Sequence, residues 1–260
     1  MPHTITLRNV ATGYGDKRTR HTVSDGINAT LGAGMVTCLL GPNGAGKSTL
    51  LRSLAGFQPV VGGQIRIDGR DISAMKPAEI ASLMAVVLTE RPDVPNMDVR
   101  TLVGLGRSPY TGFWGRLGDD DRRIVEEALN MVGIGWLAER TLDTLSDGER
   151  QKALIAKALA QNTPVILLDE PTAFLDYPGK ADLLMMMRRI AHAENKTVLL
   201  STHDIELALQ AADTLWLLDG NKGFVSGTPR QLSDEGTIGR YFASQALTYD
   251  NTNFRFTINL

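Results

Sequence analysis

The chain opens on alternation. Ile5 and Leu7 sit between polar neighbours, as do Ile27, Ala29 and Leu31, the two-residue period of strands with one covered face. Val36-Thr37-Cys38-Leu39-Leu40 replaces the alternation with a short apolar run, which predicts a buried strand leading directly into glycines. A helix is predicted over 48–55, then a strand and turn over 64–69, and Pro77 opens a helical stretch that leads into the apolar run 84–88. From 91 to 150 the pattern turns helical. Pro92 and Pro95 interrupt it first, Asp98 is placed to cap a helix reaching Leu105, and 108–115 reads as loop. A helix over 119–131 has an acidic start and an apolar face of Ile124, Val125, Ala128, Leu129 and Val132. Strands then return. Val165-Ile166-Leu167-Leu168 is uninterruptedly apolar, Pro178 starts a helix running towards Ala193, and the buried strands 197–200 and 214–218 flank a helix over 205–212. Residues 246–256 alternate on both sides of a polar centre and predict a hairpin. Strands alternating with helices imply an α/β fold with a mainly parallel sheet, into which the block 91–150 is a helical insertion.

Composition narrows this picture only modestly. With 260 residues, 43% hydrophobic and 22% charged, the chain has ordinary globular composition and can bury a core. A net charge of −2 gives no electrostatic footprint for nucleic acid, which is not expected as a partner. The single cysteine, Cys38, lies in an apolar run; it reads as a buried structural thiol and fits a reducing compartment. Met1-Pro2-His3-Thr4-Ile5-Thr6-Leu7 lacks a basic start followed by an apolar core, so no secretory leader is expected. No apolar stretch reaches the roughly 20 residues that span a bilayer, so the chain is expected to be soluble, with any membrane span supplied by other subunits.

The chemistry begins after the third strand. Gly41-Pro42-Asn43-Gly44-Ala45-Gly46-Lys47-Ser48 fits the phosphate-binding P-loop, between a buried strand and a helix. Its glycines let successive backbone N–H groups point at phosphate oxygens, and the following helix adds its positive end. Lys47 reaches the β- and γ-phosphates, Ser48 is placed to ligand Mg²⁺, and Thr49 completes the nucleotide contacts. Leu168-Asp169-Glu170 supplies carboxylates at the end of a buried strand, where α/β sheets place their ligands. Alone, such a pair reads equally as solvated or helix-capping. With the P-loop upstream, Asp169 is expected to hold the metal and Glu170 to polarise the attacking water.

Further segments resemble the ABC ATPases. Leu145-Ser146-Asp147-Gly148-Glu149-Arg150-Gln151 is similar to their signature motif, which usually reads Leu-Ser-Gly-Gly-Gln. Glu170-Pro171-Thr172 and Phe174-Leu175-Asp176 resemble the continuation into the D-loop, Thr202-His203-Asp204 resembles the switch-histidine segment, and Tyr14 resembles the aromatic residue that stacks on adenine. The resemblance covers nearly the whole chain in the right order. It implies a P-loop NTPase core with an antiparallel β portion near the N-terminus, hydrolysing ATP with Mg²⁺. The core would be split into 1–90 and 151–227 around a helical signature subdomain at 91–150, with a C-terminal extension at 228–260. Two copies would pair head to tail, each ATP lying between one copy's P-loop and the other's Ser146 and Gly148, with His203 at the γ-phosphate. Partners would be integral-membrane permease subunits and, indirectly, a substrate-binding protein, with the chain peripheral on the cytoplasmic face of the cell membrane.

Two positions depart from the family pattern. Asp147 stands where glycine is usual and is expected to point away from the paired nucleotide, while Glu90 stands where the Q-loop usually carries glutamine and is expected to reach the metal. The segment Leu102-Val103-Gly104-Leu105-Gly106-Arg107-Ser108-Pro109-Tyr110 resembles a Gly-Arg-x-Pro stretch of importers of iron siderophores, haem and cobalamin. Another importer, an exporter, or a soluble ABC ATPase without a transport role remain alternatives. Of the four histidines, His3, His21 and His192 read as ordinary, and Met185-Met186-Met187 reads as helix core and surface. Ser146 and Glu149 also form a capping box, so structural and functional readings coincide there.

Overall fold

The alternating N-terminal segments form strands, and the apolar runs form others between them. The computed structural model describes residues 3–15, 21–89, 96–112 and 115–259. The chain runs through β1 (Ile5–Tyr14), β2 (His21–Leu31), β3 (Val36–Leu40), α1 (Lys47–Leu54), β4 (Gly62–Ile67), β5 (Arg70–Asp71), α2 (Pro77–Leu83) and β6 (Met84–Val87). Three helices follow: α3 (Val99–Gly104), α4 (Asp119–Met131) and α5 (Asp147–Ala160). Then come β7 (Val165–Leu168), α6 (Tyr177–Glu194), β8 (Thr197–Ser201), α7 (Ile205–Ala211), β9 (Thr214–Asp219) and β10 (Gly223–Gly227). The chain ends with α8 (Pro229–Asp234), α9 (Thr237–Phe242), β11 (Leu247–Asp250) and β12 (Arg255–Ile258).

Strands β2-β1-β4-β5 form an antiparallel sheet, and β10-β9-β3-β8-β7-β6 form a six-stranded sheet. In the larger sheet β9, β3, β8, β7 and β6 run parallel, with β10 antiparallel at one edge. The apolar runs are explained by cover on both faces. Leu39, Leu167, Leu199 and Trp216 pack with Ile5 and Ile27 of the antiparallel sheet. Cys38, Leu40, Ile166, Leu168, Val198 and Leu200 face the helices, in one core with Leu102, Val103, Leu129 and Ile155. Cys38 is fully buried, and burial pushes its thiol pKa up to about 12, as befits a structural cysteine.

The helical block is pinned by the Gly-Arg stretch. Arg107, 7% exposed, donates from Nε to Asp121 Oδ1 at 2.9 Å and from a terminal nitrogen to the Ala160 carbonyl at 3.0 Å. Its guanidinium also lies 4.2 Å from the centre of the Tyr110 ring. The hydrogen bond from Arg107 holds the Asp121 carboxyl below the usual carboxylate range. One cation thus joins the acidic first turn of α4 to the carbonyl end of α5, both favourable for the helix dipoles. Gly106 lets the segment reach α5: a Cβ there would stand 2.2 Å from the Lys157 carbonyl oxygen.

The expected α/β architecture, with its antiparallel N-terminal sheet and inserted helices, is found. Asp98 caps α3 through a hydrogen bond from Thr101 N, and the C-terminal hairpin forms, tied to α7 where Phe256 N donates to Glu206. Strand β10 and helices α8 and α9 were not anticipated. Helix α5 runs unbroken across the expected boundary at 150/151. Glu90 and the following prolines Pro92 and Pro95 lie outside the described residues, as do parts of the loop 108–115. Among the described residues no helix is long and apolar enough to cross a membrane.

Because the Gly106 neighbours are backbone atoms of α5, Gly106→Ala is expected to cost about 1–3 kcal/mol through overpacking. Gly220→Ala, with nothing within 4 Å of the added carbon, is expected to stay within about 0.5 kcal/mol. Urea unfolding midpoints of the two variants check the contrast; equal midpoints would remove the argument for close packing at Gly106.

Candidate active site

Parallel pairing gathers four strand ends at one edge of the large sheet. Leu39 stands opposite Ser201, Leu168 opposite Leu200, and Val87 opposite Leu168. The loop after β3, the carboxylates after β7, the Ser201–His203 segment ending β8, and Thr89 after β6 therefore converge, in the crevice where α/β sheets bind ligands.

The loop 41–46 turns tightly into α1. Gly46 has φ 98° in the left-handed region, where a Cβ would also stand 2.7 Å from Val23 Cγ1. Lys47, 5% exposed, folds over the loop and donates from Nζ to the Gly41 carbonyl at 2.8 Å and the Pro42 carbonyl at 3.1 Å. Burial lowers the pKa of its ammonium, while the Glu170 and Asp169 carboxylates pull the other way. Ser48 is exposed and Thr49 half-buried on the same loop-to-helix turn.

Asp169 is buried, at 3% exposure, and both of its oxygens are held by hydroxyls. Ser201 Oγ donates to Oδ1 at 2.7 Å and Thr89 Oγ1 to Oδ2 at 3.0 Å, while its backbone N–H donates to Val87 O. Glu170 has φ 50°, a left-handed conformation uncommon for a residue with a Cβ and one that needs a restraint to persist. The restraint is Ser201: its hydroxyl accepts from Glu170 N at 2.8 Å while donating to Asp169. The Glu170 carboxylate meets His203 Nε2 at 2.5 Å, so in this contact Nε2 carries the hydrogen. Beneath His203, Thr202 Oγ1 accepts from Asp204 N at 3.1 Å and lies 3.3 Å from Thr172 Oγ1.

Lys47 and Glu170 border a groove of about 510 Å³ whose lining also includes Asn43, Gly44, Gly46, Ser48 and Thr49, together with Tyr14, His21 and Val23. Tyr14 is thus brought to the P-loop side chains, and His21 with it. Ser146 and Gly148 are not brought there. They begin α5, where Ser146 Oγ accepts from Glu149 N and the Glu149 carboxylate accepts from Ser146 N at 2.8 Å, completing the capping box. The Ser146 hydrogen bonds hold the Glu149 carboxyl below its usual range. Gly148 sits against the loop after β7: a Cβ there would stand 3.1 Å from Phe174 O. Asp147 is exposed at the same helix end. Glu90 lies outside the described residues; Thr89, just before it, is anchored to Asp169.

Sequence reasoning missed Thr89, Ser201 and the place of His21. The signal for the first two was a hydroxyl ending each of two apolar runs, Ala85 to Leu88 and Val198 to Leu200, beside strand-end carboxylates. For His21 it was the strand register opposite Tyr14, which no local pattern displays. A second, larger groove of about 620 Å³ is lined by apolar side chains including Phe57, Val60, Ile72 and Ile80, and by Gln161; it holds no catalytic cluster.

The profile of the ABC transporter family matches residues 24–173, more than half of the chain. The chain is 39% identical over 250 residues to an uncharacterized ABC transporter ATP-binding protein of Methanocaldococcus jannaschii, covering 96% of this chain and 83% of that one. It is 33% identical over 245 residues to the iron(3+)-hydroxamate import ATP-binding protein of Bacillus subtilis, covering 94% and 89%. A solved inward-facing transporter described as metal-chelate type superposes with a TM-score of 0.79 at 25% identity, over 98% of this chain and 95% of that one. A dimeric ATP-binding cassette in a post-hydrolysis state, bound to ADP and Pi, superposes with a TM-score of 0.74 at 26% identity, over 83% and 94%.

Removing the Ser201 hydroxyl strands a buried carboxylate oxygen and a backbone N–H together. Ser201→Ala is expected to lose about 1–3 kcal/mol of stability and to turn over more slowly, while Ser201→Thr, which keeps the hydroxyl, suffers less. Chemical unfolding and ATPase rates of both variants check this. Normal stability and turnover in Ser201→Ala would mean that the bridge does not position Asp169 and Glu170.

Proposed function

The chain belongs to the ABC transporter family, and from that premise we propose that it is the ATP-hydrolysing subunit of an importer for an iron chelate, haem or cobalamin. The observation that carries the catalytic part is that Lys47 and Glu170 line one groove, with Asp169 close enough to act on the Lys47 charge and His203 in contact with Glu170. The proposed cargo follows from relatives such as the iron(3+)-hydroxamate import ATP-binding protein of Bacillus subtilis.

In this reading the P-loop residues Gly41 to Thr49 cradle the triphosphate, and Tyr14 supports the adenine. Lys47 exchanges two neutral carbonyl partners for phosphate oxygens, a stronger charge-assisted contact. Among the described residues no three His, Cys, Asp or Glu side chains converge as metal ligands. The donors available are the Ser48 hydroxyl, the Asp169 carboxylate and phosphate oxygens, a hard set that suits Mg²⁺, with Glu90 assigned as a further ligand. When bound, the ion supplies neutralisation of phosphate charge. Asp169 has lone pairs left beyond its two hydroxyl donors, and those hydroxyls fix its orientation. Glu170 accepts the proton of a water whose oxygen bonds to the γ-phosphorus as the bond to the β-phosphate oxygen breaks, giving ADP and phosphate. His203, already on Glu170, is the side chain assigned to steady the γ-phosphate.

Because Ser146 and Gly148 stand away from this groove, a second copy is assigned to bring them to the nucleotide in a head-to-tail dimer. We divide the chain as expected from its sequence: a core from 1–90 and 151–227, a helical signature part at 91–150 and an extension at 228–260. Permease subunits are assigned to the apolar groove beside the exposed Phe57. With such partners the chain is assigned a peripheral position on the cytoplasmic face of the cell membrane.

Lys47→Ala is expected to weaken ATP binding by about ten- to a hundredfold, since charged hydrogen bonds are worth about 1.5–3 kcal/mol. Equilibrium titration with MgATP measures it, and wild-type affinity would refute the cradle.

For Glu170→Gln the expectation is different: ATP still binds, hydrolysis falls about 10²- to 10⁴-fold, and an ATP-bound dimer accumulates. Phosphate release and gel filtration read both effects. Co-purification with a permease, followed by uptake assays with ferric chelates, haem and cobalamin, tests the importer assignment; uptake of none of them would overturn the cargo.

A further inference from the structure

We propose that His21 is a second base-contacting side chain, forming with Tyr14 a two-ring seat for the adenine of ATP. The proposal rests on reading the Tyr14-lined groove as the ATP site.

Four observations place His21 there. Tyr14 and His21 are opposite one another in the β1–β2 register, at the end of the pairing, so their side chains leave the same face of the sheet. Their ring centroids are 5.0 Å apart and the planes are tilted by 42°, a tilted contact rather than a parallel stack. Both residues are exposed, Tyr14 at 61%, so neither ring is spent on filling core. Both line the groove that also holds Lys47 and Ser48.

The strand sets the distance. The β1–β2 register shifts between Thr12 and Gly13, leaving Val23 as the extra residue of a bulge, so that His21, Thr22 and Val23 all line the groove. Val23 lies against Gly46 of the phosphate loop, 2.7 Å from where a Cβ would be. The rings therefore stand one short strand segment away from the phosphate cradle, which leaves room for a ribose between base and phosphates. An adenine against Tyr14 at that point lies within reach of His21 as well, since the two rings are 5.0 Å apart and line the same groove. The imidazole presents both a flat face and a ring nitrogen, so it can stack or exchange a hydrogen bond with a base edge. A histidine that merely closed the strand pair would have no reason to share the groove.

The test compares MgATP with Mg-tripolyphosphate, which has phosphates and no base, on the full chain. His21→Ala is expected to bind MgATP about tenfold more weakly and tripolyphosphate as wild type does. His21→Phe, which keeps a flat ring, is expected to stay within about threefold for MgATP. The Tyr14→Ala/His21→Ala double variant is expected to bind MgATP more weakly than Tyr14→Ala alone. Unchanged MgATP affinity in His21→Ala would overturn the proposal. Equal losses for both ligands would overturn it too, and so would a double variant no weaker than Tyr14→Ala, which would make His21 only a prop for Tyr14. If Tyr14→Ala also bound MgATP normally, the placement of the base in this groove would fail, and the failure would be separable from that of His21 by the single variants.

Discussion

The parallel pairing of β3, β8, β7 and β6 is the constraint on which the site depends. Each strand is apolar on both faces, so a shift of one residue would move Leu168 or Leu200 from the helical core to the sheet interface and reverse every neighbour. The register is therefore held by packing along the whole strand. The single hydroxyl of Ser201 can bridge Asp169 and the Glu170 amide only because Leu168 and Leu200 are opposite. Thr89 reaches Asp169 from the other side for the same reason, through the pairing of Val87 with Leu168. A polar network of this kind is expensive when half-satisfied and orienting when complete, so its precision is inherited from the apolar core beneath it.

Charge in the crevice is arranged around provisional partners. Lys47 is taken out of water, which disfavours its charged form, and the two carboxylates oppose that loss. Its hydrogen bonds go to the neutral carbonyls of Gly41 and Pro42, while Glu170 holds His203. Nucleotide phosphates offer Lys47 a better partner than a carbonyl, and binding then needs little more than a change of contact. The left-handed backbone of Glu170 belongs to the same economy of movement: the Ser201 hydroxyl holds its amide, so the side chain's direction is set before any ligand arrives.

The elements legible in the sequence were those fixed by local pattern. Buried strands showed as apolar runs, α4 as an acidic start with an apolar face, and the P-loop as glycines between strand and helix. Strand β10 was not legible because Gly223-Phe224-Val225-Ser226-Gly227 is short, glycine-bounded and only half-buried at an edge. Helices α8 and α9 have six residues each, too few for periodicity to declare itself. At the site, the motif positions could be read because their chemistry is contiguous in the chain. Ser201, Thr89 and His21 act through register across strands, and a single sequence carries register only implicitly.

The Gly-Arg stretch shows how a family-like segment can have a local physical reason. Gly106 admits close approach to α5, and Arg107 joins the end of that helix to α4. The adjoining Gln161 donates to the carbonyls of Ala81 and Met84 and lines the apolar groove. Helix α5 has 14 residues and is about 21 Å long. Its N-terminal end carries Ser146 as the cap and Gly148 in the first turn, the residues assigned to a partner's nucleotide, and its far end is fastened beside the surface assigned to the permease. An unbroken helix of this length moves as one body, together with the neighbours fastened to its ends. In the proposed dimer, drawing its start onto a triphosphate must therefore also displace its far end and the groove wall attached there, without any intervening chain having to refold.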